Sequence, residues 1–559
     1  MAPDRSALLL GLTLIACQSP ASEDGDGTTA PGSTGAQSPT TGAPPDPTTG
    51  IIGEASTGAD AETSAGTTSD TTLPALDPLP PLASPVPLTD EALRVPLHAV
   101  DEDKLLDPRI PAERDQMIAE GYGDVELQPG EPVLARTLDD APPPAPGPSP
   151  ALLTRFVHLA DTQLADDESP ARLVNFDAAA DGAFRPGEGH ICRMLNAAAR
   201  TINRLHQDLP IEFVLLGGDN TDNAQDNELT WFMDVLDGAG RIECDSAEDD
   251  DPIPGPANDP KDPFASAGLD IPWRWVTGNH DLLRQGSWDI TKFMGEPVGT
   301  MATGGTRDYG MPGSPIVTGT VLADPARHFI SEADQLARVA GASDGHGITA
   351  DALALGRAFY TFDIDGTPLR FFVMSTAAAT GSSKGLIRQT DIDAIIEPTI
   401  QQAAADDKWL ILTSHHRAGS LYNGTEPGLG VGMEFADALT TEDWIAYLGG
   451  HPHVLMHLAA HSHVMSVYAM QPMGGHAYWE MASPSLTDFP SQMRLVEIWD
   501  QDNDHLTIRS LAFDYAVDGD PVADAGRTLG VADFTSSWVG DGRGAGPEHR
   551  NVELWIPKP

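Results

Sequence analysis

Basic residues are scarce in this chain. Its 559 residues hold 32 lysines and arginines against 83 aspartates and glutamates, a formal charge of −51. Nucleic-acid binding through a basic face needs lysine and arginine at the phosphates, so the balance counts against it. Cysteine is scarcer, with only Cys17, Cys192 and Cys244. A thiolate-rich metal centre is excluded, and at most one disulfide can form. Long apolar runs are missing too. Ala7 to Ala16 is nearly unbroken but too short to cross a bilayer as a helix, and no later segment is long and apolar enough to do so.

The N-terminus reads as an export signal. The apolar run follows Arg5 and ends in Leu14-Ile15-Ala16-Cys17, which resembles a bacterial lipobox. That resemblance implies a signal peptide over 1–17, cleavage before Cys17, and lipid on its sulfur. A plain secretory peptide with an incidental cysteine is the alternative. No lysine or arginine lies between Arg5 and Arg94, and 18–85 is mostly Thr, Gly, Ser, Ala, Pro and Asp. Such a composition cannot bury enough apolar surface to offset its ordering entropy, so a disordered tether is expected. The chain is then expected at the cell envelope, lipid-anchored to the membrane. Residues 86–153 read as a proline-rich extension with one helix, Ala112 to Glu120, and a stiff linker at Ala141-Pro142-Pro143-Pro144-Ala145-Pro146. The globular domain is placed at 154–515, with 516–559 as a C-terminal extension.

Within that domain, apolar runs repeatedly end in polar clusters. Phe213 to Leu216 ends in Gly217-Gly218-Asp219-Asn220-Thr221-Asp222. Arg155 to Ala160 ends in Asp161-Thr162-Gln163, and Ile271 to Val276 in Gly278-Asn279-His280-Asp281. Trp409 to Thr413 ends in His415-His416, and a last cluster is Ala460-His461-Ser462-His463. Buried strands tipped in this way describe one site at the carboxyl edge of an α/β sheet. Helical spacing marks Glu188 to His206 and Gln225 to Leu236. The acidic stretch Glu243 to Asp262 reads as an exposed insertion, and 282–353 as a cap-like insertion or a disordered one. Phe359 to Met374 reads as a β-hairpin, and Gln389 to Ala405 as helix divided at Pro398. Lys408 to Thr413 is a strand. Val464 to Met470, Ala477 to Met481, Arg494 to Trp499 and His505 to Phe513 look like strands of a second sheet. Early alternation of strands and helices, with strands dominating late, suggests an α/β sandwich.

The residue types carry chemistry. Asp161, Gln163, Asp219 and Asn279 offer oxygen, and His415, His461 and His463 offer nitrogen. Mixed oxygen and imidazole donors suit Mn²⁺, Fe or Zn²⁺. Seven ligands exceed what one tetrahedral ion uses and suffice for two ions sharing a carboxylate, the usual clamp for in-line displacement at phosphorus. Bound cations also reverse the local field of an acidic protein, so a phosphate substrate stays open.

The ordered series Asp-x-Gln, Gly-Asp-x-x-Asp, Gly-Asn-His-Asp, His-His and His-x-His resembles the calcineurin-like metallophosphoesterase superfamily. It runs from Asp161 to His463 and extends less specifically to about Tyr515. The resemblance implies a four-layer α/β/β/α sandwich with two mixed β-sheets. It places Asp161, Gln163, Asp219 and His463 on one metal, and Asp219, Asn279, His415 and His461 on the other. His280 would lie by the leaving group as acid or phosphate contact, oriented by Asp281. The implied reaction is hydrolysis of a phosphomonoester or phosphodiester by a metal-bridging hydroxide, with Mn²⁺ foremost and Fe or Zn²⁺ as options. Gln163 departs from the histidine usual there, and its neutral amide oxygen leans toward Mn²⁺ or Mg²⁺. Ala460 replaces a glycine. A surface binding lipoprotein that keeps this fold without turnover is the alternative, and a nuclease a third reading. Asp222 is read as a cap or a supporting group, Asp166-Asp167-Glu168 as a solvated loop, and His451, His453 and His457 as ordinary surface or core histidines. His416 and Arg417 stay open.

Overall fold

The computed structural model describes residues 76–559 apart from 102, 104–105, 178–181, 248–259, 292–296, 310, 312–313, 343, 423–434, 537 and 539–544. The signal, Cys17 and most of the tether lie outside the described residues. Among the described residues no helix is long and apolar enough to cross a membrane.

The chain is a mixed α/β protein with two large mixed sheets. Their strands, in chain order, are β1 (Leu134–Thr137), β2 (Ala151–Leu159), β3 (Phe213–Leu216), β4 (Trp273–Arg274), β5 (Tyr360–Asp363), β6 (Leu369–Met374), β7 (Trp409–Ser414), β8 (Val454–Ala459), β9 (Ser466–Met470), β10 (Tyr478–Ala482), β11 (Gln492–Asp500), β12 (His505–Asp514) and β13 (Val552–Pro557). The seven-stranded sheet has the order β1-β13-β12-β11-β2-β3-β4, and the six-stranded sheet β5-β6-β7-β8-β10-β9.

Alternation along the strands decides what each face buries, because neighbouring side chains point to opposite sides. Phe156, Phe213 and Leu215 of the first sheet share a core with Phe371, Val373, Ile411 and Met456 of the second. Phe156 stacks on Phe213 and meets Phe371 edge-on. The intervening residues Val157, Val214 and Leu216 turn the other way, onto helices. Phe372, Leu410 and Leu412 likewise pack with Ile392, Ile400 and Trp444. Each such fully buried side chain contributes about 1.5–3 kcal/mol of transfer free energy.

Six helices matter to the argument: α1 (Pro111–Ala119), α2 (Ile191–Asp208), α3 (Asp226–Asp237), α4 (Glu332–Ala340), α5 (Glu397–Ala405) and α6 (Pro521–Thr535). Helix α2 buries Ile191, Leu195, Ala198, Ile202 and Leu205, the stripe expected from its spacing. It ends at Leu209, before Pro210, as the proline requires. Pro398 sits in the first turn of α5, and a wider π-type turn at Ile392–Ile396 precedes it. The missing proline N–H is thus absorbed by a local irregularity.

Several sequence expectations need correction. The boundaries at 154 and 515 cut through one sheet: β1 pairs in parallel with β13 at its edge. Residues 76–85 are not all tether, because Leu82 is buried in the core with Val86 and Leu88. β11 and β12 do not belong with β9 and β10. They return to the first sheet, where β11 pairs antiparallel with β2. The ends of the Glu243–Asp262 stretch are buried rather than exposed. Cys244 forms a disulfide with Cys192 of α2, and Lys261 is fully enclosed. The 282–353 stretch holds the hairpin Met301–Arg307/Ile316–Thr320 and helix α4, whose N-cap is Ser331.

Candidate metal centre

Parallel pairing brings the strand tips together. β2 and β3 run in register up to Leu159 and Leu216, and β7 and β8 up to Thr413 and Leu458. The polar residues following each pair therefore emerge at one edge. Backbone bonds lock the turns: Asp161 N–H donates to Gly218 O, Gln163 N–H to Asp219 O, and Ala460 N–H to His415 O. Gly218 must be glycine. Its φ is +85°, and a Cβ there would lie 2.8 Å from His415 Nδ1 and 2.9 Å from Gly278 N.

Six of the seven expected ligands lie in one cluster, and Gln163 follows two residues after Asp161 on the same turn. His415 Nε2 is 3.0 Å from Asp219 Oδ2 and 4.0 Å from Asp161 Oδ1. His463 Nε2 is 3.3 Å from Asp161 Oδ1. His461 Nδ1 is 3.1 Å from Asn279 Oδ1 and 3.2 Å from His415 Nε2. Gln163 Oε1 is buried without a hydrogen-bond donor, and Asp161 Oδ1 has only the His463 Nε2 beside it. A buried acceptor with no partner is costly unless a cation meets it. Two groups, Asp161–Asp219–His463 and His415–His416–His461, each converge closely enough to hold a metal ion.

The backbone is strained where these side chains project. Asp161, Gln163, Asp219, His461 and His463 all have φ between +43° and +69°. Non-glycine residues rarely occupy that region, and such outliers gather at functional sites where the surroundings over-determine them.

The imidazoles are oriented from behind. His415 Nδ1 donates to Gly217 O, which turns Nε2 toward the cluster. His463 Nδ1 contacts Asp488, itself held by Arg185 at 3.0 Å. Burial, and then neighbouring His415, keeps His461 far below its ordinary pKa, in the neutral form that ligates metals. Burial, opposed by the adjacent Asp219, leaves His415 raised to about 9, and the same pair holds Asp219 well below the usual carboxylate range against its own burial.

His280 lies beside this cluster, but Asp281 does not orient it. Asp281 accepts from Gly278 N, Asn220 N and Thr221 N, bracing the turns that carry Asp219 and Asn279. The carboxylate facing His280 Nδ1 is Asp222, at 3.1 Å. Asp222 is itself held by Arg172 and Gln285. The reading of Asp222 as a supporting residue holds, and its role is the one assigned to Asp281.

Asp166, Asp167 and Glu168 are not a solvated loop. They are buried against Lys261, Arg307 and Arg327. His416 is buried, with Nδ1 at Thr376 Oγ1 and Nε2 at Ser383 O. His457 is a core residue between Ser414 and Glu480. That Ser-His-Glu series is almost wholly buried, so no substrate reaches it. Arg417 lies over the Tyr468 ring. Asp488 was missed in the sequence: it lies 25 residues past His463 with no spacing signal, and only the fold joins them.

No family model matches the chain, and no curated protein matches it.

Proposed function

We propose that the chain is a binuclear metal-dependent phosphoesterase of the calcineurin-like kind, built as a four-layer α/β/β/α sandwich. What supports this reading is the clustering of Asp161, Asp219, Asn279, His415, His461 and His463, with Gln163 on the turn after Asp161 and five of these seven on left-handed backbone. Asp161, Gln163, Asp219 and His463 would hold one ion, and Asp219, Asn279, His415 and His461 the other. Bound divalent ions, Mn²⁺ foremost and Fe or Zn²⁺ as options, supply electrostatic stabilisation for in-line attack at phosphorus and lower the pKa of water.

The protein's own groups do the rest. Asp222 takes the Nδ1 side of His280, so the opposite ring edge is the one that gives a proton to a leaving oxygen or contacts a phosphoryl oxygen. His280 retains 13% side-chain exposure, which suits that contact. Asp281 holds the two turns in place. The substrate is a phosphomonoester or phosphodiester. The leader supports a further part of the proposal: lipid on Cys17 holds the enzyme at the outer side of a membrane.

The test is turnover of bis(p-nitrophenyl) phosphate beside p-nitrophenyl phosphate with Mn²⁺, with and without chelator. Chelator-sensitive hydrolysis that disappears in Asp219→Ala and His461→Ala is expected. Full activity in both variants would sink the mechanism. Stoichiometric metal without turnover of any phosphoester favours the binding-protein alternative.

A further inference from the structure

A cleft of about 500 Å³ has none of the expected metal ligands in its lining. Its walls come from α1, the start of α2, α6 and the 282–353 stretch. Arg114, His190, Arg307, Tyr309 and Thr528 line it, with Asp115 and Asp524. The volume lies in the range of small-molecule sites.

The charges are sorted by depth. The Arg114 and Arg307 side chains are 18% and 3% exposed. Asp115 is 75% exposed and Asp524 is exposed as well, so the acids stand at the rim. In a chain this poor in cations, two arginines sharing a concave wall need a reason. Arg307 answers to Asp167 and Glu188, each 3.6 Å away. Arg114 has much less: among the described residues its one ion pair is a 3.8 Å contact with exposed Asp115. Burial first, and then Arg307, lowers its pKa. A largely buried guanidinium without a close counter-charge is costly, and an anion in the cleft would relieve that cost. His190 adds a second observation. Its Nδ1 is buried and has no hydrogen-bond partner, and burial, then Arg307, holds the ring neutral at about 3. A neutral imidazole nitrogen can donate to an oxyanion without adding charge. Tyr309 Oη is fixed by Asp167 at 3.0 Å, and its ring is packed over Gly189, where a Cβ would lie 2.2 Å from that oxygen.

We infer that this cleft is a second anion site, taking a phosphate dianion between Arg114 and Arg307 with His190 as neutral donor. The planar fork of Arg114 suits a tetrahedral oxyanion, and Arg307, whose Nη2 already donates to Pro186 O at 3.1 Å, adds its charge to the wall. The site does not depend on the phosphoesterase reading, although phosphate would be that reaction's product. Its wall is also continuous with His280. Glu188, beside Arg307, pairs with Arg172, and Arg172 pairs with the Asp222 that faces His280.

Equilibrium dialysis of the full chain against inorganic phosphate, in chelator, tests the site. Chelation removes metal-dependent anion binding and leaves this cleft. Saturable binding by the wild type is expected, weakened about tenfold or more in Arg114→Gln, which removes one charge-assisted fork. Ala525→Glu places a carboxylate on the exposed wall of α6, without touching the core, and should abolish binding. Asp115→Asn should leave it unchanged or tighten it. Absence of chelator-resistant binding up to about 10 mM phosphate, weaker than any useful affinity, overturns the inference. So does binding that survives both Arg114→Gln and Ala525→Glu. Metal-dependent turnover is measured separately, so failure of either proposal leaves the other standing.

Discussion

Replacing Asp222 by asparagine separates the two roles that sequence spacing had confused. Asp222 is fully buried and meets Arg172, Gln285 at 2.7 Å and the His280 ring at 3.1 Å. The amide keeps the shape and removes the charge. Arg172, equally buried, would retain Glu188 and the Ala183 carbonyl, 3.0 Å away. Removing one partner of a buried pair costs about 3–5 kcal/mol, and the isosteric change should fall at the lower end. Activity should fall by about 10-fold, because His280 loses the carboxylate charge beside its ring while the Asp222 backbone carbonyl, 2.9 Å from Nδ1, still holds it. Metal content should not change, since Asp222 is not among the expected ligands. The decisive assay is a double-mutant cycle in kcat with His280→Ala. If Asp222 acts through His280, its replacement should cost little once His280 is gone. Fully additive losses in kcat would refute the pairing.

Other outcomes follow from the same geometry. Gly286 has φ +60°, and a Cβ there would lie 2.3 Å from the His280 ring and 2.6 Å from Asn279 Nδ2, so Gly286→Ala should cut kcat by about 100-fold and weaken metal retention; an unchanged rate would mean neither side chain is needed where it sits. The Cys192–Cys244 bridge closes a separation of 52 residues, so the double alanine variant should lose up to about 4 kcal/mol in urea unfolding, and an unaltered midpoint would show the loop to be held by other contacts. Buried His158, held down at about 3 by desolvation and then by Arg494 and His415, excludes a proton that the unfolded chain binds below about 6.5. Its contribution is complete above that pH and shrinks on acidification toward 3, by about 2 kcal/mol at pH 5. His158→Gln should therefore flatten the loss of stability between pH 7 and pH 5, and parallel curves would exclude this source.

The sequence made the strand tips legible because an apolar run ending in glycine and a carboxylate is a local pattern. It also showed α2 and α3, whose stripes are regular. What it hid was non-local. Nothing near Gln492 says that β11 pairs with β2 rather than with β10. The run Asp166-Asp167-Glu168 looks solvated until Lys261, Arg307 and Arg327 arrive from distant segments to neutralise it. Asp281 follows His280 directly in sequence, yet the fold aims it at backbone amides, and Asp222 from another strand tip takes its place.

The first sheet has a consequence for the life of the chain before it is folded. One edge of β2 is covered by β11, followed in the sheet by β12 and β13, strands that lie more than 300 residues further along the chain. β2 therefore waits, unpaired on one side, for a partner more than 300 residues downstream, whereas β3 finds both of its neighbours, β2 and β4, much nearer in the chain. Closing the sheet therefore joins segments far apart in sequence, which makes folding slow and leaves a strand edge open meanwhile. Until β11 docks, the open edge of β2 is the part of this sheet most exposed to pairing with the wrong strand.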